Sequence, residues 1–135
     1  MSANLERFKA IIERGFCRGD LTVADEVCAE ELIEHEYLSK TGFPGPQILK
    51  AQIEDARHNI KDLKLTIEAI AETGDTVWAR SKATGCDPRS GKTVTIDVID
   101  ICRFADEKLV EHWGVPDRFA LLHQIGALPS PPKPT

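Results

Sequence analysis

Side chains alternate in character along Gly91-Lys-Thr-Val-Thr-Ile-Asp-Val-Ile-Asp-Ile-Cys-Arg-Phe104, the longest strand-like segment of the sequence. From Val94 to Phe104 every second residue is apolar, with the single exception of Asp100. Alternation with a period of two is typical of a β-strand that places one face in a hydrophobic core. The pattern therefore predicts a long strand over 92–104.

Similar patterns flank this strand and predict the rest of the sheet. Alternating or β-branched stretches cover 63–69, 76–86 and 109–115, and turn-forming residues separate them at 73–75, 87–91 and 106–108. Before them, apolar residues at helical spacing predict helices over 4–17, 21–28 and 46–58, and another short helix over 117–125. Helices followed by hairpin-joined strands indicate an α+β fold, a curved antiparallel (mixed) sheet packed on N-terminal helices.

Length and charge limit the classes of function. The chain has 135 residues, which suits a single domain over 1–128 with a Pro-rich flexible tail over 129–135. The net charge of −5 argues against a nucleic-acid partner, because phosphate contacts need clustered Lys and Arg. The polar start of the chain lacks the apolar core of a signal peptide, and no apolar run approaches a membrane span. We expect a cytoplasmic protein with free cysteines.

The outward face of the sheet predicts a partner. Trp78, Ile99 and Ile101 fall on one candidate outer side. A sheet face with such residues is most simply covered by a second copy of the chain, so we expect a homodimer through this face.

Asp100 is the first candidate for chemistry, because it is a carboxyl in an apolar stripe. Burying an unpaired carboxylate is unfavourable, so Asp100 either finds a partner or takes up a proton. Cys102 and Phe104 share its strand face and are expected to line the same pocket. His112 and Trp113 are neighbours on the last strand, so a regular strand sends only one of them inward.

His35 and Asp117 each allow two interpretations. The imidazole of His35 is suited to proton abstraction at neutral pH, although its position between Glu34 and Glu36 also fits a solvated turn. Asp117 precedes a short helical stretch, where an acid is a good N-cap. Histidine spacing typical of a metal site is absent, as are a Gly-x-Ser-x-Gly elbow and a Gly-rich phosphate loop. No metal and no cofactor are expected.

Three stretches together resemble polyketide cyclases of the SnoaL-like family, within the nuclear-transport-factor-2-like superfamily. They are 45–53 with 62–68, 91–104, and the most specific, Glu111-His-Trp-Gly-Val-Pro-Asp-Arg-Phe-Ala-Leu-Leu-His-Gln-Ile-Gly126. The resemblance implies a cone-shaped roll with an internal pocket. It also implies that Asp117 stands where these cyclases carry their acid/base for an intramolecular aldol ring closure, and that a histidine such as His35 follows an apolar pair. The loop 87–91 is shorter than in many such relatives.

The segment from Val98 to Phe104 is also similar to the ketosteroid isomerase stretch that carries a protonated oxyanion-hole aspartate. This similarity implies that Asp100 acts as a neutral hydrogen-bond donor. The isomerase tyrosine would fall near Ile12, however, and the only tyrosine of this chain is Tyr37. Steroid isomerisation is therefore not expected.

Two hypotheses of function follow. The first is a cofactor-free cyclase or isomerase-type enzyme that acts by proton transfer on a small to medium apolar carbonyl compound. Its acid/base residues would be Asp117 and His35, with Asp100 as the donor, and its pocket would be lined by the set Trp113, His112, Phe104 and Cys102. The alternative is a protein of the same fold that binds an apolar small molecule without converting it.

Overall fold

The computed structural model describes residues 2–36, 42–129 and 134 of the chain. Tyr37 and most of the tail expected over 129–135 lie outside these residues. The elements in chain order are α1 (Ala3–Ala10), a π-helical segment (Ile11–Cys17), α2 (Thr22–Val27), β1 (Cys28–Glu34), α3 (Gly45–Asn59), β2 (Lys61–Thr73), β3 (Thr76–Cys86), β4 (Thr93–Ala105), β5 (Lys108–Pro116) and α4 (Arg118–Gln124).

The helices begin where short polar residues or proline favour a start. Ser2 caps α1, since its Oγ accepts a hydrogen bond from the Leu5 amide at 3.1 Å. The chain then widens into the π-helical segment, which buries Ile11 and Ile12. Pro46 stands in the first turn of α3, where its missing N–H leaves no hydrogen bond unmade. These helices supply the apolar surface that covers one face of the sheet.

The five strands form one sheet in the order β1-β5-β4-β3-β2. The strands β2 to β5 pair with their chain neighbours in antiparallel fashion, as predicted. β1 was not predicted, and it pairs with β5 in parallel, with Glu34 opposite His112. The sheet is therefore mixed. The helix predicted over 21–28 is present as α2, but the prediction of only a brief apolar pair after it was wrong, because the chain is extended as a strand from Cys28 to Glu34.

A glycine allows α3 to lie directly on β1. A Cβ atom at Gly45 would stand 1.9 Å from the carbonyl oxygen of Ala29, far inside any tolerable contact. Gly45 therefore permits an approach that another residue would prevent. This close packing brings the middle of α3 beside the end of β1, and it places Gln52 next to Glu34.

The core fills the space between the helices and the inner face of the sheet. Its main cluster includes Phe8, Val23, Ile53 and Val77, all nearly inaccessible to solvent. Along β4, Val94, Ile96 and Cys102 are buried, whereas Ile99 on the opposite face is exposed. The architecture is the predicted α+β roll, a curved open sheet packed on N-terminal helices. Among the described residues, no helix has the length and apolar character needed to cross a membrane.

Candidate active site

A cavity of about 320 Å³ lies between the inner face of the sheet and the helices. Its walls are mostly apolar and include Ile12 and Phe16 from the π-helical segment and Leu63 and Ile96 from the sheet. Its polar lining residues are Glu34, Glu36, Gln52, Asp55, Asn59, Asp100, His112 and Arg118. An apolar cavity with a few polar groups is typical of a small-molecule site.

The centre of the polar lining is a chain of three ionisable groups. The Nδ1 atom of His112 lies 2.8 Å from Oε2 of Glu34, and its Nε2 atom lies 2.7 Å from Oδ1 of Asp100. The Glu34 side chain is only 1% exposed, compared with 12% for His112 and 14% for Asp100. The imidazole thus joins two carboxylates of the cavity lining, one with almost no solvent exposure and one that is more exposed.

Strand pairing explains why the three groups meet. Glu34 ends β1 opposite His112 on β5, and Asp100 on β4 lies opposite Gly114 of β5. His112 and Gly114 are two residues apart, so they share the inner face of the sheet. A Cβ atom at Gly114 would come within 2.7 Å of His112 Cε1 and 3.3 Å of Asp100 Oδ1. The absence of a side chain at Gly114 leaves room for the imidazole.

The two carboxylates beside His112 favour the charged form of its imidazole. Burial lowers the pKa of His112, but hydrogen bonds to Asp100 and Glu34 outweigh burial and raise that pKa to about 10. Burial likewise raises the pKa of Glu34, yet its hydrogen bond to His112 and the charge of that residue bring the net pKa below the usual value. At neutral pH, His112 is therefore an imidazolium that donates a hydrogen bond from each ring nitrogen.

A second set of contacts holds Glu34 in place. Gln52 Nε2 donates to Glu34 Oε1 at 2.8 Å, and the Glu36 amide donates to Glu34 Oε2 at 3.0 Å. Glu36 itself pairs with Arg118, whose NH2 atom lies 2.6 Å from Glu36 Oε1. Among the residues that the structure describes, Glu34 therefore accepts hydrogen bonds from three groups, whereas Asp100 accepts one.

The second carboxylate oxygen of Asp100, Oδ2, is the notable atom of the site. Within residues 2–36 and 42–129, Oδ2 of Asp100 accepts no hydrogen bond, while Oδ1 is held by His112. A carboxylate with one anchored and one available oxygen, at the wall of a cavity, is arranged to accept a proton or a hydrogen bond from a ligand.

The structure brings together part of the predicted site. Asp100, His112 and Cys102 line the cavity. Phe104 does not, because it lies deeper in the core beneath the helices. Trp113 was expected to line the pocket, but it lies on the outer face of the sheet. The physical reason is the alternation of β5: with His112 inward, Trp113 must point outward.

His35 also lies away from the cavity. It follows the inward Glu34 in an extended stretch, so its side chain projects to the outer side and stacks on Trp113, with ring centroids 4.6 Å apart. Its Nε2 atom lies 2.8 Å from Glu111 Oε2, and Glu111 also accepts a hydrogen bond from Arg103 Nε at 2.9 Å. The structure thus places His35 in a surface cluster.

Asp117 takes the capping position that its sequence context allowed. Its Oδ1 accepts a hydrogen bond from the Ala120 amide at 3.0 Å, which is the N-cap interaction of α4. The side chain is exposed and is not part of the cavity wall. The expectation that placed Asp117 beside Asp100 in the pocket is corrected by this geometry.

Several members of the site were not predicted, among them Glu34, Gln52 and Gly114. Glu34 was treated only as a charged neighbour of His35. The available signal was the spacing of Leu32 and Glu34, which a strand places on the same face. That signal becomes useful only once β1 is recognised, and its pairing with β5 links residues far apart in the chain.

One subset of the polar lining has donor atoms close enough to bind a cation. A ligand atom from each of Glu34, Glu36 and His112 lies within 4.8 Å of the others. Metal coordination requires a neutral imidazole with a free lone pair. Both ring nitrogens of His112 are engaged with carboxylates, and the raised pKa of His112 opposes loss of its proton. The donor set therefore does not fit a metal ion in this arrangement.

The fold and cavity define an α+β roll of the ketosteroid isomerase-like kind. This architecture matches a protein with that fold from Catenulispora acidiphila, with a TM-score of 0.76 and 13% identity over 90% of this chain and 92% of the other. A family model for SnoaL-like polyketide cyclase matches residues 7–125. The chain belongs to the SnoaL-like polyketide cyclase family.

Two further solved structures are similar over nearly the whole chain. TsrD from Streptomyces laurentii has 26% identity and a TM-score of 0.75, with 93% of each chain covered. A loop truncation variant of IdmH, whose wild type is from Streptomyces antibioticus, has 25% identity and a TM-score of 0.78 over 91% of this chain and 99% of the other. Among curated proteins, no sequence matches.

Proposed function

We propose that this chain is a cyclase or isomerase-type enzyme that transfers a proton on a small apolar carbonyl compound, with Asp100 as the acid/base residue. The observation that carries the proposal is the position of Asp100: one carboxylate oxygen is held by His112, and the other accepts no hydrogen bond from the described residues at the cavity wall. Membership of the SnoaL-like family supports this class of reaction.

The reaction would proceed through the carboxylate form of Asp100. Oδ2 takes a proton from the carbon next to the substrate carbonyl, the C–H bond breaks, and its electron pair moves into the enolate. For an isomerase, Asp100 returns the proton to another carbon. For a cyclase, the enolate carbon attacks a second carbonyl, and Asp100 gives the proton to the new alkoxide. The substrate's carbonyl serves as the electron sink, so the protein's own side chains are sufficient.

His112 would act as the positioning residue for Asp100. Its imidazolium keeps Oδ1 occupied and holds the carboxylate plane in one orientation. In this proposal Asp100 is a proton acceptor at neutral pH rather than the protonated donor that the isomerase similarity implied. His35 and Asp117 have no part in it, because neither reaches the cavity.

Hydrogen–deuterium exchange of a ketone tests the proposal without knowledge of the natural substrate. 2-Indanone is a small apolar ketone with exchangeable protons beside its carbonyl, and ¹H NMR in D₂O follows their loss. We expect the protein to accelerate exchange above the buffer rate and Asp100→Asn to abolish the acceleration. Asp117→Asn is the matched control and should retain it. Equal acceleration by the wild type and Asp100→Asn would contradict the assignment.

A binding protein without turnover is the second candidate, and the pairing of His112 favours it. Both ring nitrogens are engaged, so the imidazole has no position free for a substrate. The same experiment separates the two candidates: line broadening of 2-indanone resonances by the protein, without accelerated exchange, is the result that a binding protein would produce.

We further propose that the chain is a cytoplasmic homodimer that associates through the outer face of the sheet. Trp78, Ile99 and Val115 are exposed on this face, where a second copy would cover them. Light scattering after size exclusion should give twice the chain mass for the wild type, and Ile99→Lys should shift it to the monomer.

A further inference from the structure

Counted over the described residues, the polar part of the cavity carries a net negative charge. The chain Glu34–His112–Asp100 contains two carboxylates and one imidazolium, which leaves a net charge of −1. The neighbouring pair of Glu36 and Arg118 is neutral and adds nothing to it, whereas the exposed carboxylate of Asp55 adds a further negative charge to the lining. Among the described residues lining the cavity, the only cationic side chains are His112 and Arg118, and each is already paired with carboxylate.

This arrangement discriminates between ligands by charge. An anionic ligand would meet carboxylates and would have to displace an existing ion pair to find a cation. A neutral ligand would leave the charge as it is. A ligand with one positive charge would neutralise the net charge of Glu34, His112 and Asp100. It would also donate a charge-assisted hydrogen bond to the available Oδ2 of Asp100.

We propose that the cavity selects a protonated amine attached to a small apolar ring body, with its N–H group on Asp100 Oδ2 and its rings between the π-helical segment and the sheet. The volume of about 320 Å³ lies at the small end of ligand pockets and suits a body of one or two rings. The inference rests on the proposed function: if the site transfers a proton on a carbonyl compound and also selects an amine, its substrate is an amino ketone.

A matched series of probes tests the charge preference directly. 2-Aminoindane, 2-indanol and indane-2-carboxylate share one ring body and are cationic, neutral and anionic at pH 7. Titration calorimetry should show the amine binding at least about tenfold more tightly than the alcohol, which corresponds to one charge-assisted hydrogen bond. The carboxylate should bind more weakly than both.

Variants locate the effect in the cavity. Asp100→Asn should remove the preference for the amine and leave the affinity for the alcohol within about threefold, a change too small for a lost ionic contact. Asp117→Asn is the control of equal charge change outside the cavity, and it should keep the preference. The series is then repeated at 0.5 M NaCl, where the preference for the amine should persist. Screening weakens exposed charges far more than buried ones, so a preference caused by the protein surface in general would be lost.

Several outcomes would overturn the proposal. Equal affinity for the amine and the alcohol would show that Asp100 carries a proton and that the excess charge is absent. Tightest binding by the carboxylate would assign an anionic ligand. Because these measurements detect binding alone, 2-indanone exchange that depends on Asp100 would keep the proposed function in place even if amine selectivity fails. Amine selectivity without accelerated exchange of 2-indanone would support the amine ligand and contradict the proposed function.

Discussion

Replacing His112 by Gln removes the charge that makes the buried Glu34 tolerable. Glu34 is 1% exposed, and its only cationic contact among the described residues is His112. Removing one member of a buried ion pair is destabilising by about 3–5 kcal/mol, because it leaves the other charge without compensation. The contacts from Gln52 and the Glu36 amide remain, so we expect a loss near the lower end, about 3 kcal/mol.

The same substitution should remove a slope in the dependence of stability on pH. The pKa of His112 is raised from 6.5 to about 10 on folding, so its contribution is fully present below pH 6.5 and is lost as the pH rises toward 10. Between these values the wild type should lose about 1.4 kcal/mol of unfolding free energy per pH unit from this group. His112→Gln should lack that component.

Urea unfolding followed by far-UV circular dichroism at pH 6, 7, 8 and 9 measures both effects. The difference between wild type and His112→Gln cancels the contributions that the two proteins share, and it should shrink steadily as the pH rises. His58→Gln, at an exposed position of α3, is the control and should follow the wild type. If Glu34→Gln is added to His112→Gln, part of the stability should return, because the stranded carboxylate is gone. A difference that stays constant from pH 6 to pH 9 would refute a charged imidazole between the carboxylates.

Three further predictions concern positions around the cavity. Gly114→Ala should displace the His112 ring, because the new Cβ would lie 2.7 Å from Cε1, and ¹⁵N NMR of the imidazole should show its hydrogen bonds altered although no charge has changed. Asp117→Ala should lower the unfolding free energy by about 1 kcal/mol through loss of the α4 cap, measured by urea unfolding, with 2-indanone exchange unaffected. Gly45→Ala should be destabilising by several times that amount in the same assay, since the Ala29 carbonyl would have to move; a change below 0.5 kcal/mol would contradict the close contact.

Local periodicity was enough to place most elements and to orient Asp100. The alternation along β4 identifies its inner face without any knowledge of the partner strands, because successive side chains point to opposite sides. The structure shows Val94, Ile96 and Cys102 buried on that face and Asp100 among them at the cavity wall. For a strand of this length and composition, sequence and structure therefore agree.

The same periodicity could not decide between His112 and Trp113. In β5 the pattern is compatible with either face, and the decision depends on pairing with β4. Asp100 lies opposite Gly114, so Gly114 and His112 must share the face of Asp100. Register is a long-range property, and the bulge between Arg103 and Phe104 would upset any count made from the β4–β5 turn.

β1 was missed for a related reason. Its sequence, Cys-Ala-Glu-Glu-Leu-Ile-Glu, holds three glutamates and one β-branched residue, a composition that does not favour a strand by itself. It becomes a strand through parallel pairing with β5 and through the packing of α3 against it at Gly45. Tertiary contacts therefore outweigh local preference here, and they decide the position of Glu34.

These observations link the stability of β1 to the charge of His112. Glu34 is buried only when β1 lies beside β5, and its burial is tolerable only while the imidazolium donates to it. Separating β1 from β5 would return Glu34 to water and leave His112 with Asp100 alone. Loss of the His112 proton should therefore loosen β1 first, because Glu34 on β1 is 1% exposed whereas Asp100 on β4, the other partner of His112, is 14% exposed. Glu34 holds the imidazole of His112 from the side opposite Asp100. The edge strand β1, which local sequence patterns did not reveal, therefore also helps to hold Asp100, the candidate acid/base residue, in position.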